Sequence, residues 1–174
     1  GEQFINTPII TGLLKTDKLN ILPFAFYHTH LYNCVMRNNS LLVVGYSFGD
    51  LYINQVLERM DLIYGNEKRI VLIDYWNLLV DDNVINSIPE GEERGAYVKE
   101  MMIQKVMDDE ISDSLGTFMC RMTGSGDFRE AISSFVNYDR TGPMISNNGC
   151  LMLFIGGFKK ASVYKNEIYE FLNS

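Results

Sequence analysis

Several features that define protein classes are missing from this chain of 174 residues. No apolar run approaches the ~20 residues that a membrane-spanning helix needs, so no membrane partner is expected. The three cysteines, Cys34, Cys120 and Cys150, are far apart and form no CxxC pair, which predicts buried, reduced thiols and no zinc site. The N-terminus lacks the basic and then apolar pattern of a signal peptide, so we expect a cytoplasmic protein.

The chain is also short of basic charge. Its 15 lysines and arginines are outnumbered by 22 acidic residues, and the net charge is −7. An acidic chain without a basic cluster is a poor partner for nucleic acid, so we expect no direct contact with it. The length allows one domain over residues 1–174. Because the sequence opens abruptly and without methionine, we expect an N-terminally truncated fragment of a longer protein.

The stretch 41–60 organises the rest of the sequence. Its apolar run, residues 41–44, predicts a strand that is buried on both faces. Residues 45–50 then predict a turn, with Asp50 as the N-cap of a helix and Gly65 as its left-handed C-cap. The apolar face of that helix consists of Ile53, Val56, Leu57 and Met60.

Further elements extend this unit into a sheet. Residues 69–74 predict a second buried strand, and strand, helix and strand together fit a parallel βαβ unit. Residues 150–155 predict a third buried strand. The expected fold is therefore α/β, a Rossmann-like parallel sheet with flanking helices, which would be incomplete in a fragment. Besides the helix that Asp50 begins, helices are predicted over residues 23–37, 94–112, 128–136 and 165–172.

Two of these helices carry side chains with functional potential. The helix 23–37 holds both histidines, His28 and His30, which point to different sides and so make a poor metal pair. Each histidine is expected to be partly buried and hydrogen-bonded. A methionine-rich stripe on the helix 94–112 predicts either core packing, the commoner role, or an adaptable partner surface. The apolar face of the helix 23–37 consists of Phe24, Tyr27, Leu31, Cys34 and Val35.

Three chain segments are expected to meet at one edge of the sheet. Parallel strands end at the same edge, where α/β proteins bind ligands, and residues 45–50, 74–75 and 156–157 follow the three predicted strands. Gly45 permits close approach of a ligand, and Ser47 can bond a phosphate or a ribose hydroxyl. Asp74 can accept from two ribose hydroxyls, and Tyr75 can stack on a base. Each of these residues is equally compatible with a purely structural role, in a turn, a cap or a solvated surface.

The sequence GYSFGDLYIN, preceded by LLVV and followed by RIVLID, resembles the C-terminal part of the prokaryotic sirtuin-like NAD-binding domain. The resemblance covers about residues 7–75. It implies that the turn Gly45-Tyr46-Ser47 lies against the pyrophosphate and adenosine ribose of NAD or ADP-ribose, with Asp74 on the adenosine side. Asn54 matches the family pattern and is expected to bond locally beneath the site.

The chain also departs from that family. It lacks the Gly-Ala-Gly-x-Ser phosphate loop, the Gln-Asn-x-Asp segment and the general-base histidine, so no catalytic residue is expected here. The resemblance implies a parent protein that hydrolyses NAD, as members associated with antiphage defence do, and a fragment that binds NAD with weak or no turnover. The alternative is a non-catalytic α/β binding or oligomerisation module, a homo-oligomer formed through the methionine stripe or an open sheet edge.

Overall fold

The computed structural model of the chain describes residues 24–76, 87–89, 91–107, 113–139 and 141–174. Numbered in chain order within these residues, the helices are α1 (Phe24–Met36), α2 (Leu51–Tyr64), α3 (Glu92–Met107), α4 (Asp113–Thr123), α5 (Phe128–Ser133), α6 (Phe158–Ala161) and α7 (Lys165–Leu172). The strands are β1 (Ser40–Val44), β2 (Arg69–Ile73), β3 (Met144–Ile145) and β4 (Leu151–Phe154).

The four described strands form one sheet in the order β1-β2-β4-β3. The first three of these are mutually parallel, and Ile73 of β2 pairs with Val44 on one side and with Phe154 on the other. The two-residue strand β3 runs antiparallel to β4. This mostly parallel sheet with flanking helices confirms the predicted α/β, Rossmann-like fold, including the parallel βαβ unit.

Helices cover the two faces of the central strands. Ile70 and Leu72 of β2 face a large core built with α2, α3, α4 and α5. Val71 and Ile73, which alternate with them, face a smaller core beneath α7. Because both faces of β2 and β4 are covered, these strands consist almost entirely of buried apolar residues, as their unbroken apolar sequences predict.

The prediction that the first strand is buried on both faces is wrong. Val43 is buried, whereas Leu42 and Val44 are 46% and 45% exposed. β1 is an edge of the described sheet, and its Leu42 pairs with Val71, on the face that α7 covers over β2 and β4. An apolar run predicts a buried strand, but it does not reveal how far a covering helix reaches.

Helix α1 has nearly the predicted bounds but presents a different face. Val35 packs in the core, whereas the expected core residues Tyr27 and Leu31 are exposed, as is Cys34. The prediction of buried thiols therefore fails for Cys34 and holds for Cys150, and Cys120 is half-buried. The apolar stripe predicted for α1 is rotated relative to the face that meets the rest of the described protein.

The two histidines of α1 differ in their surroundings. The ring of His28 is half-buried against Tyr52, with centroids 5.8 Å apart, and its buried Nε2 has no hydrogen-bond partner in the described part of the protein. The expectation of a hydrogen bond is therefore wrong at that atom. His30 is exposed, against expectation, but its Nε2 lies 3.6 Å from Sγ of Cys34.

Helix α2 matches its predicted bounds, and Val56, Leu57 and Met60 are buried as expected. Its C-cap, Gly65, has a positive φ of 50°, but its ψ of −122° lies outside the left-handed helical region that we predicted. The buried Lys68 then bonds Gly65 O and pairs with Asp61, both over 2.7 Å, and so fixes the connection into β2.

The sequence between β2 and β4 was predicted least well. The predicted helix 94–112 corresponds to α3, which begins at Glu92; its Val98, Met102 and Ile103 are core residues, so the described part of the methionine stripe packs inside. Helix α4 was not predicted, although Leu115, Phe118, Met119 and Met122 recur at helical spacing. Helix α5 begins after the predicted cap Asp127 but ends at Ser133, three residues early.

Candidate functional site

The three segments expected at one sheet edge do converge there. Gly45 N donates to Ile73 O over 3.0 Å, and Asp74 N donates to Phe154 O over 2.8 Å. Gly157 N then donates back to Asp74 O over 2.9 Å. These bonds link residues 45–50, 74–76 and 156–157 side by side at the ends of β1, β2 and β4, and we call this region the carboxyl edge.

The turn between β1 and α2 is anchored by Phe48. This residue has a φ of 58°, which is uncommon for a residue with a large side chain and costs on the order of 1–3 kcal/mol. Its ring is fully buried, 4.7 Å from the ring of Tyr46 and 4.6 Å from that of Phe118. Burial of a phenylalanine contributes about 1.5–3 kcal/mol, which offsets that strain. No role is predicted for Phe48 from the sequence.

Hydrogen bonds from Asn54 hold the same turn from below. Its Nδ2 donates to Phe48 O over 2.8 Å, and its Oδ1 lies 2.8 Å from the hydroxyl of Tyr46. That hydroxyl also lies 2.9 Å from Asp50 O, so its single proton is shared between two acceptors. Burial, joined by the charge of Asp50, raises the pKa of Tyr46. The local role expected for Asn54 is confirmed, and the Tyr46 side chain points into the protein.

The remaining residues of the turn divide between solvent and helix cap. Ser47 is exposed at the surface of the turn. Gly45 has a φ of 61°, and the space that a Cβ would enter is open. Asp50 accepts from Tyr52 N over 3.0 Å and from Ile53 N over 3.4 Å, which confirms it as the N-cap of α2. A phosphate at the carboxyl edge would therefore meet Ser47 rather than these amides.

Asp74 is held by its two neighbours in sequence. Its Oδ1 accepts from the main-chain N–H of Tyr75 over 2.8 Å, and its Oδ2 accepts from the indole N–H of Trp76 over 2.9 Å. Each carboxylate oxygen has about two acceptor positions, and among the described residues one position on each oxygen is used. Trp76 is buried and was not predicted, although a residue two positions beyond Asp74 lies on the same side of an extended chain.

Two exposed aromatic side chains lie at the carboxyl edge or directly after it in the chain. Tyr75 is 66% exposed, and Phe158 is 62% exposed. Gly157, with a φ of 81°, packs directly against Tyr75, because a Cβ there would lie 3.4 Å from Cδ2 of that ring. Gly157 thus makes a turn with a positive φ, and the group that approaches its backbone closely is the side chain of Tyr75.

Comparisons with protein-family models, with curated proteins and with solved structures found no match. The fold and the carboxyl edge by themselves place the chain in a class. It is an α/β protein with a Rossmann-like sheet whose strand ends present a hydroxyl, a carboxylate and an exposed aromatic ring. Within the described ranges, no helix has the length and apolar character that crossing a membrane requires. The same residues contain no group of three metal-binding side chains.

Proposed function

We propose that the carboxyl edge binds the ADP-ribose portion of NAD. The observation that carries the proposal is the alignment of Gly45, Asp74 and Gly157 through consecutive backbone hydrogen bonds, with Ser47 and Tyr75 exposed on the same edge. A hydroxyl, a carboxylate and an exposed ring are the groups that a phosphate, a ribose and a base require. Pockets at the ends of parallel strands are where such ligands bind.

Each residue would then have a distinct role. Ser47 would donate to the pyrophosphate, and the open space at Gly45 would admit the phosphate close to the backbone. Tyr46 would hold the turn in place through Asn54. Asp74 would accept from two ribose hydroxyls, and the exposed face of Tyr75 would stack on the base.

The larger function that the resemblance supports is NAD hydrolysis by a longer, cytoplasmic sirtuin-like protein of antiphage defence. In that protein this chain would supply binding, and the base and the asparagine for cleavage would come from another segment. The histidines described here contact Tyr52 and Cys34 rather than the residues of the carboxyl edge. Full-length protein that leaves NAD intact, with or without an activator, would refute the enzymatic part.

Titration calorimetry with ADP-ribose tests the binding proposal directly. A hydrogen bond to a charged group contributes about 1.5–3 kcal/mol, so Ser47→Ala should weaken binding about 10- to 100-fold. Ser133→Ala, at an exposed position in α5, is the matched control and should bind as the wild type does. Equal affinities for all three proteins would remove Ser47 from the site, and no binding by the wild type would refute the proposal.

A second candidate function, a homo-oligomerisation module, is favoured by one observation. Leu42 and Val44 leave an apolar surface on β1, an edge of the described sheet, and exposed edges of this kind pair with other chains. The methionine stripe does not serve this role where it is described, because Met102 is buried. Sedimentation should then show association that Val44→Lys weakens, and a strict monomer would exclude this function.

A further inference from the structure

A cavity lies behind the turn 45–50, between α2 and α4. It has a volume of about 190 Å³. Its apolar wall includes the buried side chains of Leu57 and Phe118, and its polar wall includes Asn54. An engineered apolar cavity of about 150 Å³ holds one benzene molecule, so this space suits a ligand with a single ring. We call it the α2–α4 cleft.

Charge at the rim of the α2–α4 cleft is unevenly balanced. Arg121 pairs with Glu58 across the two helices, with Nη1 3.0 Å from Oε1. Asp113, at the first position of α4, lines the same cleft and is exposed, which leaves the rim with one more acid than base. A ligand whose ring packs against Phe118 and whose cationic head group pairs with Asp113 would match both the apolar wall and the acidic rim.

Two residues that line the α2–α4 cleft, Asn54 and Phe118, also contact the turn 45–50 at the carboxyl edge. Asn54 donates to Phe48 O, and the ring of Phe118 lies 4.6 Å from the ring of Phe48. Phe48 is held at a φ of 58°, so its position depends on these two contacts. A ligand that fixes Asn54 and Phe118 therefore also fixes the turn that carries Ser47.

We propose that the α2–α4 cleft is a binding site for a single-ring aromatic molecule with a cationic head group, and that its occupancy is coupled to the turn 45–50. The coupling is reciprocal, because a ligand at the turn must change the affinity of the cleft by the same factor by which a ligand in the cleft changes the affinity of the turn. Neither half depends on NAD as the ligand of the carboxyl edge.

Titration of the isotopically labelled chain with benzamidine, followed by amide NMR, tests both halves without any nucleotide. We expect saturable shifts at Asn54 and Phe118 together with slower amide hydrogen exchange at Ser47. Benzamide and benzoate have the same ring with a neutral and an anionic head, so affinity should fall in the order benzamidine, benzamide, benzoate. Shifts that do not saturate, or an order in which benzoate binds best, would overturn the site.

The Asp113→Asn variant separates charge recognition from ring burial. It should weaken benzamidine binding at least several-fold and leave benzamide unchanged, whereas Glu167→Gln on α7 should change neither. Added salt should weaken benzamidine binding to the wild type in the same selective way, a measurement that needs no variant. Equal losses for both probes would overturn the assigned head group, and binding without any change at Ser47 would overturn the coupling.

Discussion

The indole N–H of Trp76 donates to Oδ2 of Asp74 over 2.9 Å, so a buried side chain orients a half-exposed carboxylate. The main-chain N–H of Tyr75 holds the other oxygen over 2.8 Å. With both oxygens restrained, the carboxylate plane is fixed before any ligand arrives. Pre-organisation of this kind reduces the conformational entropy that the Asp74 side chain would otherwise lose when it binds a ligand.

Removal of the indole donor should therefore lower the stability of the folded protein. In Trp76→Phe a smaller ring replaces the indole and the donor is lost, so we expect the free energy of unfolding to fall by at least about 1–2 kcal/mol. Urea unfolding followed by circular dichroism measures this, since the variant lacks the chain's only tryptophan. Tyr75→Phe, at an exposed ring, is the control and should unfold as the wild type does. A Trp76→Phe variant of unchanged stability would contradict the assigned hydrogen bond.

The sequence predicted the central part of the fold well, because there the local pattern and the tertiary environment agree. The spacing of apolar residues located α2, β2 and β4 within one or two residues, and the carboxylate of Asp50 marked the start of α2. Parallel strands then brought Gly45, Asp74 and Gly157 together by topology alone.

What could not be predicted depends on partners that are distant in sequence. The exposure of Leu42 follows from where α7 lies, 123 residues after it in the chain at Lys165. The role of Phe48 depends on Phe118, in a helix that the sequence analysis did not identify. Ser47 would be exposed both as a ligand contact and as part of a solvated turn. The sequence around it therefore does not distinguish these two roles.

The positive φ of Phe48 predicts that Phe48→Ala destabilises the protein more than Phe48→Gly does, which is the reverse of the usual order. Alanine normally exceeds glycine in stability by roughly 0.5–1 kcal/mol, but only glycine adopts a φ of 58° without strain. Phe48→Ala should lose about 3–5 kcal/mol through the cavity and keep the strain, whereas Phe48→Gly should lose less. Urea unfolding of both variants checks the order. A Phe48→Gly variant less stable than Phe48→Ala would show that the backbone at this position is not strained.

The close contact at Gly157 predicts that the same glycine-to-alanine substitution lowers stability at this position and raises it at Gly95. Gly157→Ala adds a methyl group against the ring of Tyr75 at a φ of 81°, so we expect destabilisation by about 1–2 kcal/mol. Gly95→Ala, inside α3, should instead stabilise the protein by about 0.5–1 kcal/mol, since the added Cβ meets only ordinary contacts, at 3.9 Å. Melting temperatures of the two variants should lie on opposite sides of the wild type. Equal shifts would contradict the assigned conformation of Gly157.

The raised pKa of Tyr46 predicts a loss of stability in alkali. Burial is the main cause of the shift, and the charge of Asp50 adds to it, so the folded protein holds this proton above the ordinary value of 10.0. The unfolded chain releases it at that ordinary value. The associated stability is therefore complete below pH 10.0 and is lost as the pH rises through the folded pKa of Tyr46.

Urea unfolding between about pH 9 and about pH 11 measures this slope. Tyr46→Phe has no phenolic proton at this position, so its stability should fall less steeply over the same range, even though it begins lower because Asn54 has lost a partner. Tyr138, whose pKa burial also raises, contributes a slope of its own that Tyr46→Phe leaves in place. If wild type and Tyr46→Phe lose stability in parallel, the hydroxyl of Tyr46 is hydrated in the folded protein, and burial does not raise its pKa.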